Sequence, residues 1–243
     1  CLYCYLVCNY NKCSYLRLFV NREEMLDKIM KTANRSSENI TFEIGSNSDL
    51  VLENTITHNL EWTIERFAKN EKGRLTFPTK FANVAPLLPL QHGGRIIFRM
   101  SVNPEKIIRQ IELGTSPLNK RIEALNQMCE AGYPCGILIA PVIFLPGWQD
   151  LYRELITVLS EKLSEKVKKT AFIEIIFMSY SFVHRKINED AFPDAPELYD
   201  KELMQVRGRG KYGYHPSARQ EGELFFRAEL ARKLPHMKIL YFS

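Results

Sequence analysis

The feature that most constrains this chain is an alternation of short, almost continuously apolar runs with longer amphipathic ones. The apolar runs fall at 15–20 (YLRLFV), 40–45 (ITFEIG), 74–79 (RLTFPT), 95–102 (RIIFRMSV), 135–143 (CGILIAPVI) and 171–178 (AFIEIIFM), with a last at 237–242 (MKILYF). Between them, apolar residues recur with a period near 3.6 over 22–33, 54–69, 104–112, 119–131 and 150–166, which predicts helices. Asn21 before REEML is placed to cap one of these, and Asn103-Pro104 puts a proline at the first position of another. Strands that are apolar on both faces must be covered on both, so the pattern predicts a parallel sheet with helices outside it. Five or six such units make an α/β barrel or an open part of one. No internal repeat divides the chain, and 1–243 reads as one domain.

With 45% apolar and 25% charged residues, the chain has the composition of a globular protein with a large core. Its longest apolar stretch, CGILIAPVIFLPGW, is broken by prolines and falls short of the roughly 18 residues a membrane span needs. No basic segment followed by an apolar one marks a signal peptide. The expectation is a cytoplasmic protein with no membrane partner. Reduced thiols then argue against a disulfide framework and for metal or redox chemistry. Four of the six cysteines lie in CLYCYLVCNYNKC at the start. On spacing alone they could hold a metal, form a redox pair or pack. A first residue of cysteine rather than methionine predicts a fragment of a longer protein.

The segment 187–218, rich in Pro, Gly and charge, reads as a long loop or insertion before a final helix near 218–233. Residues 199–243 carry nine Lys and Arg against five Asp and Glu, a surplus of four, centred on RGRGK at 207–211. A basic, Gly-rich loop suits a polyanion such as nucleic acid, and equally a solvated surface. In a parallel barrel the chemistry sits at the carboxyl ends of the strands. Polar residues recur there: Glu43, Ser46 and Ser48, then Lys80, then Ser101 and Asn103.

The stretches CLYCYL, YLRLFVN, TFEIGSNSDLV, GRLTFPTKF, FRMSVNP, GTSPLNKRIEAL, AGYPCGILIAPVI and GKYGY together resemble the spore photoproduct lyase family of radical S-adenosylmethionine (AdoMet) enzymes. They occur in family order and span nearly the whole chain. The resemblance implies a partial (β/α)6 barrel with its first strand missing here, a [4Fe–4S] cluster, and AdoMet bound at the iron that no protein thiolate holds. It implies repair of the thymine dimer called spore photoproduct in damaged DNA, with electrons from a flavodoxin or ferredoxin. It also implies a monomer in the spore or forespore interior. Cys1 and Cys4 match the second and third thiolates of a C-x3-C-x2-C loop, whose first would lie four residues before Cys1. Ser48, Lys80 and Ser101 match AdoMet-contacting positions, with Ala140 contributing its backbone and Lys80 pairing with the AdoMet carboxylate. Tyr3 and Tyr5 match tyrosines beside AdoMet and substrate. Arg209, Lys211 and Tyr212 match a basic hairpin at 187–218 that engages DNA around the lesion.

One position departs from the family pattern. Ser46 stands where well-known members carry the cysteine that quenches the product thymine radical. An alcohol O–H is too strong to replace a thiol in that role, so Ser46 is expected to be polar or structural. The chain then reads as a clostridial-type variant with a relocated donor, Tyr3, Tyr5 or another cysteine. Cys8 and Cys13 lie in or near the cluster loop, whereas Cys129 and Cys135 read as core residues. Direct return of hydrogen from 5′-deoxyadenosine, a different substrate, and a zinc-binding module built on the N-terminal cysteines are the competing readings.

Overall fold

The computed structural model describes residues 1–4, 6, 18–208 and 210–243. Of the strand expected over 15–20, residues 15–17 lie outside them and 18–20 form no strand; Tyr5, Cys8, Cys13 and Arg209 also lie outside them. In the described residues, strands β1 (Thr41–Glu43), β2 (Arg74–Thr79), β3 (Ile96–Val102), β4 (Cys135–Val142) and β5 (Phe172–Phe177) are joined through helices. These are α1 (Arg22–Arg35), before β1; α2 (Leu50–Thr57) and α3 (Asn59–Phe67); α4 (Glu105–Gln110) and α5 (Leu118–Glu130); and α6 (Trp148–Lys162) and α7 (Glu165–Thr170). Next come β6 (Ser179–Ser181), α8 (Phe182–Ala191), the hairpin β7 (Met204–Val206) and β8 (Lys211–Tyr214), α9 (Pro216–Lys233) and β9 (Lys238–Phe242).

Six parallel strands, in the order β1-β2-β3-β4-β5-β9, curl into a half-barrel. The helices cover its convex face. Along β3 the side chains of Ile96, Phe98, Met100 and Val102 are fully buried. The alternate residue Arg99 bonds to both Glu43 on β1 and Glu174 on β5, two strands away on either side. Only the concave face permits that reach, so period-two alternation splits β3 into an apolar outside and a polar inside. Where β4 passes β5 the close approach needs a glycine: a Cβ on Gly136 would lie 2.4 Å from the Phe172 ring.

Several local expectations change. The helix expected over 54–69 is two helices broken at His58, whose φ of 54° is left-handed. Its carbonyl-end turn is bridged by Asn54, which accepts the N–H groups of Leu60 and Glu61. Asn21 stands at the N-cap of α1 but makes no capping bond with its side chain. Pro104 sits one residue before α4 rather than inside it, which leaves Asn103 free to turn into the core. The segment 187–218 is more ordered than a loop. It contains the end of α8, the β7–β8 hairpin and the start of α9, with a small antiparallel sheet in the order β6-β8-β7.

Asp49 ties the sheet to its first covering helix. Its Oδ1 accepts the N–H groups of Val51 and Leu52 at the start of α2 and the Thr79 hydroxyl at 2.8 Å. Its Oδ2 accepts the Lys80 N–H at 2.9 Å. Asp49→Ala therefore removes a helix cap and an anchor of the β2 terminus together. We expect a loss of about 1–2 kcal/mol, the upper range for an N-cap, read as a lower urea midpoint at unchanged slope.

Candidate active site

The turn at residues 1–4 is fastened from several sides. Leu2 is buried; its N–H donates to the Ile111 carbonyl at 2.9 Å, and its carbonyl accepts Asn188 Nδ2 at 2.7 Å. Cys4 N–H closes the turn onto the Cys1 carbonyl at 3.1 Å. With the main chain held this way, Cys1 is exposed and Cys4 half-buried, both as free thiols on one short turn. Tyr3 points inward, and its hydroxyl donates to Glu112 Oε1.

Glu112 is the centre of the site, and sequence reasoning missed it. It is fully buried, just beyond α4. Asn103 Nδ2 donates to it at 2.9 Å, Lys80 Nζ lies 3.5 Å away, and Arg121 Nη2 lies 2.7 Å from its Oε2 as an ion pair rather than an aligned hydrogen bond. Burial by itself would raise the Glu112 carboxyl, but Lys80 and Arg121 outweigh it and hold it down at about 2. Burial pulls the Lys80 ammonium below its ordinary value, and Glu112 opposes that. The Tyr3 hydroxyl is pushed well above its ordinary value, by burial first and by the Glu112 charge second.

Lys80, Ser101 and Ala140, expected together, do meet. Lys80 Nζ donates to Ser101 Oγ at 2.5 Å and to the Ala140 carbonyl at 3.1 Å; Ser101 Oγ donates to the same carbonyl at 3.0 Å. The sequence explains why that carbonyl is available. Pro141 has no N–H for the ladder, and the β4–β5 register shifts between Ile139 and Val142. Lys80 Nζ also lies 5.8 Å from the centre of the Tyr3 ring, so the cradle adjoins the cysteine turn. Ser48 is exposed on the turn after β1, where its N–H bonds the Gly45 carbonyl at 3.1 Å.

One layer deeper, Arg99 pairs with Glu43 and, at 3.1 Å, with Glu174. Ser46 Oγ donates to Glu43 Oε1 at 3.1 Å, which gives Ser46 the polar role its chemistry requires. Cys129 and Cys135 are buried toward the opposite end of β4 from Ala140, as core residues. Lys211 is exposed and Tyr212 half-buried on β8; the Tyr212 ring lies 4.7 Å from Tyr199. Among the described residues no three His, Cys, Asp or Glu side chains are grouped to hold a metal ion. Nor is any helix long and apolar enough to cross a membrane.

Comparison with known proteins agrees with the geometry. The sequence profile of spore photoproduct lyase matches residues 1–243. The chain belongs to the spore photoproduct lyase family. It is, with that family, a lyase. The spore photoproduct lyase of Bacillus subtilis (strain 168) is 34% identical over 248 residues, covering 100% of this chain and 72% of the relative. That of Clostridium acetobutylicum is 32% identical over 233 residues, covering 93% and 68%. A solved spore photoproduct lyase complexed with dinucleoside spore photoproduct superposes with a TM-score of 0.92 at 29% identity, covering 100% of this chain and 73% of that one. A variant with bound AdoMet and dinucleoside spore photoproduct gives 0.93 at 29% identity and the same coverage.

A signal for the missed residues did exist. Arg121 lies on the buried stripe of α5 with Leu118, Ile122 and Leu125, and Glu112 directly follows the buried Ile107, Ile108 and Ile111. A charge within an apolar stripe needs a buried partner, and these two are each other's. Glu112→Gln leaves two cations without their counter-charge and is expected to cost about 3–5 kcal/mol of stability. The pH dependence has a definite sign. The Glu112 carboxyl is depressed in the folded state, so its contribution is complete above the ordinary carboxyl value and is lost as pH falls from about 4.3 toward 2. Urea midpoints across that window should decline less steeply for Glu112→Gln than for the natural chain.

Proposed function

We propose that the chain repairs DNA by splitting spore photoproduct into two thymines, using a [4Fe–4S] cluster and AdoMet. The observation that carries this reading is the Lys80–Ser101–Ala140 cradle at the carboxyl ends of β2, β3 and β4, adjoining the fastened Cys1–Cys4 turn. The relatives solved with dinucleoside spore photoproduct and with AdoMet support the same substrate and cofactor. The donor set suits the cluster: Cys1 and Cys4 offer two soft thiolates on one short turn. When bound, cluster and AdoMet supply the 5′-deoxyadenosyl radical that removes a hydrogen atom from the dimer.

The chain's own residues bind and orient. Lys80, kept beside Glu112, pairs with the AdoMet carboxylate, and Ser101, Ala140 and Ser48 complete the contacts. Lys211, with Arg209 and Tyr212, holds DNA phosphates around the lesion while it leaves the stack. Tyr3 is turned away from a donor's role, because its O–H would first have to leave the Glu112 carboxylate. Tyr3 therefore fixes the cysteine turn, and the hydrogen that ends the reaction comes from Tyr5 or a cysteine. The protein acts as a monomer in the spore interior and takes electrons from a flavodoxin or ferredoxin. Ser46 supports a second reading, in which the same cofactors act on another substrate.

The deciding experiment uses the full-length protein, reconstituted anaerobically with iron and sulfide. It is incubated with AdoMet, reductant and dinucleotide spore photoproduct, and thymine release is measured. Release of thymine supports repair; AdoMet cleavage without thymine selects the second reading. Lys80→Ala should weaken AdoMet binding at least tenfold with cluster absorbance unchanged. Ser46→Ala should leave product free of by-products. Tyr3→Phe should lower cofactor retention more than it alters the product ratio.

A further inference from the structure

Beside the β7–β8 hairpin a cavity of about 120 Å³ opens between Tyr180 of β6, Phe182 and Arg185 of α8, and the rings of Tyr199 and Tyr212. Tyr180 and Tyr212 are directly opposed in the antiparallel β6–β8 pair, so they lie on one face of it. The Tyr199 ring stands 4.7 Å from that of Tyr212, and the Arg185 guanidinium lies 5.3 Å from the centre of Tyr199. Tyr180 is buried, Tyr199 and Tyr212 are half-buried, and Phe182 is 62% exposed.

That exposed ring is held firmly. The Phe182 N–H donates to the Gly210 carbonyl at 3.1 Å, which ties it to the basic loop. Ser181 Oγ accepts the His184 N–H at 3.1 Å and so fixes the start of α8 around Phe182.

Charge decides what the cavity accepts. Arg185 is paired with Glu189 at 3.0 Å and with Glu197 at 3.1 Å, so this cation is neutralised. That favours an uncharged, flat, aromatic group, which gains ring faces and a guanidinium plane, over a phosphate. On the loop outside, Arg207 and Lys211 are exposed, and Lys211 is opposed to Ser181 in register. Rings within and cations beside them complement a nucleotide with its base inward and its phosphate outward. A dimer drawn out of the stack leaves the next base without a neighbour, and an aromatic face restores the lost stacking.

Resting on the proposed repair activity, we infer that this recess holds one unmodified nucleobase, that of a nucleotide flanking the lesion on the same strand, stacked against Phe182 and Tyr199. Stacking is indifferent to which base is present, so the recess tolerates any flanking sequence.

The test uses the full-length reconstituted protein and its Phe182→Ala, Tyr199→Ala and Phe182→Trp variants. Fluorescence anisotropy measures binding to a single-stranded oligonucleotide carrying spore photoproduct between ordinary nucleotides, and to one whose flanking nucleotides are abasic. Thymine release from the dinucleotide lesion, which has no flanking base, is followed alongside. With ordinary flanks, Phe182→Ala and Tyr199→Ala should bind about tenfold more weakly than the natural chain, and Phe182→Trp should match it. With abasic flanks the natural chain should lose the same factor and Phe182→Ala nothing further, while dinucleotide repair is unchanged throughout. Undiminished binding by Phe182→Ala would overturn the inference, as would a deficit of that variant that is equal on ordinary and abasic flanks. If Tyr199→Ala fails to fold, the contrast between Phe182→Ala and Phe182→Trp decides alone, because that side chain is exposed. A natural protein that releases no thymine from the dinucleotide would overturn the functional reading, whereas intact release without the flank contrast would overturn this inference alone.

Discussion

The site depends on one buried carboxylate. Glu112 joins Tyr3 of the cysteine turn, Asn103 at the end of β3, Lys80 at the end of β2, and Arg121 of α5. Four separate segments are thereby registered against one side chain with no exposure. A buried ion pair of this kind adds little net stability compared with apolar packing, but breaking it is costly. Its value lies in placement: burial pulls the Lys80 ammonium below its ordinary value, and the Glu112 charge beside it opposes that. Arg121 makes the arrangement rigid, because its Nε and Nη1 are spent on the carbonyls of Ser116 and Ser101, and the Nη2 that faces Glu112 also donates to the Thr115 hydroxyl.

The concave face of the half-barrel is organised in polar layers. Lys80, Ser101 and the Ala140 carbonyl form the outer one; Arg99 with Glu43 and Glu174 forms the inner one. Residues 99 and 101 differ by two, so one strand supplies both layers. Lys80 donates to acceptors on two neighbouring strands, and Arg99 reaches two strands to each side, so both layers also brace the open sheet. Across the mouth, α8 links the cysteine turn to the small sheet that carries Lys211 and Tyr212. Asn188 bonds both Leu2 and Tyr180, and Tyr180 pairs with Tyr212 in register. The residues proposed to meet DNA and those proposed to hold the cluster are therefore one hydrogen-bonded unit.

Much of this was legible in the sequence. The apolar runs at 74–79, 95–102, 135–143 and 171–178 became central parallel strands, and the position rule for strand ends singled out Lys80 and Ser101. The misses have physical causes. His58 looked like a residue inside a continuous helix, but Asn54 accepts two N–H groups beyond it and stabilises the break. Asn103-Pro104 matched a helix start, yet Asn103 is drawn into the core by Glu112, a partner nine residues on. The segment 187–218 has a loop's composition and still forms a hairpin, because β8 finds strands on both sides of it.

The sequence by itself determined the class of fold, since short, mostly apolar runs alternating with amphipathic helical ones have few stable arrangements other than a parallel sheet with helices outside it. It also determined which residue types stand at the strand ends, since alternation along a strand is a local property. Tertiary structure alone decided which charges meet. Glu112, Arg121 and Glu174 look like ordinary helix or strand residues until folding brings their partners from distant segments. The energy of a buried charge depends on its neighbours in space, and only the closed half-barrel supplies them.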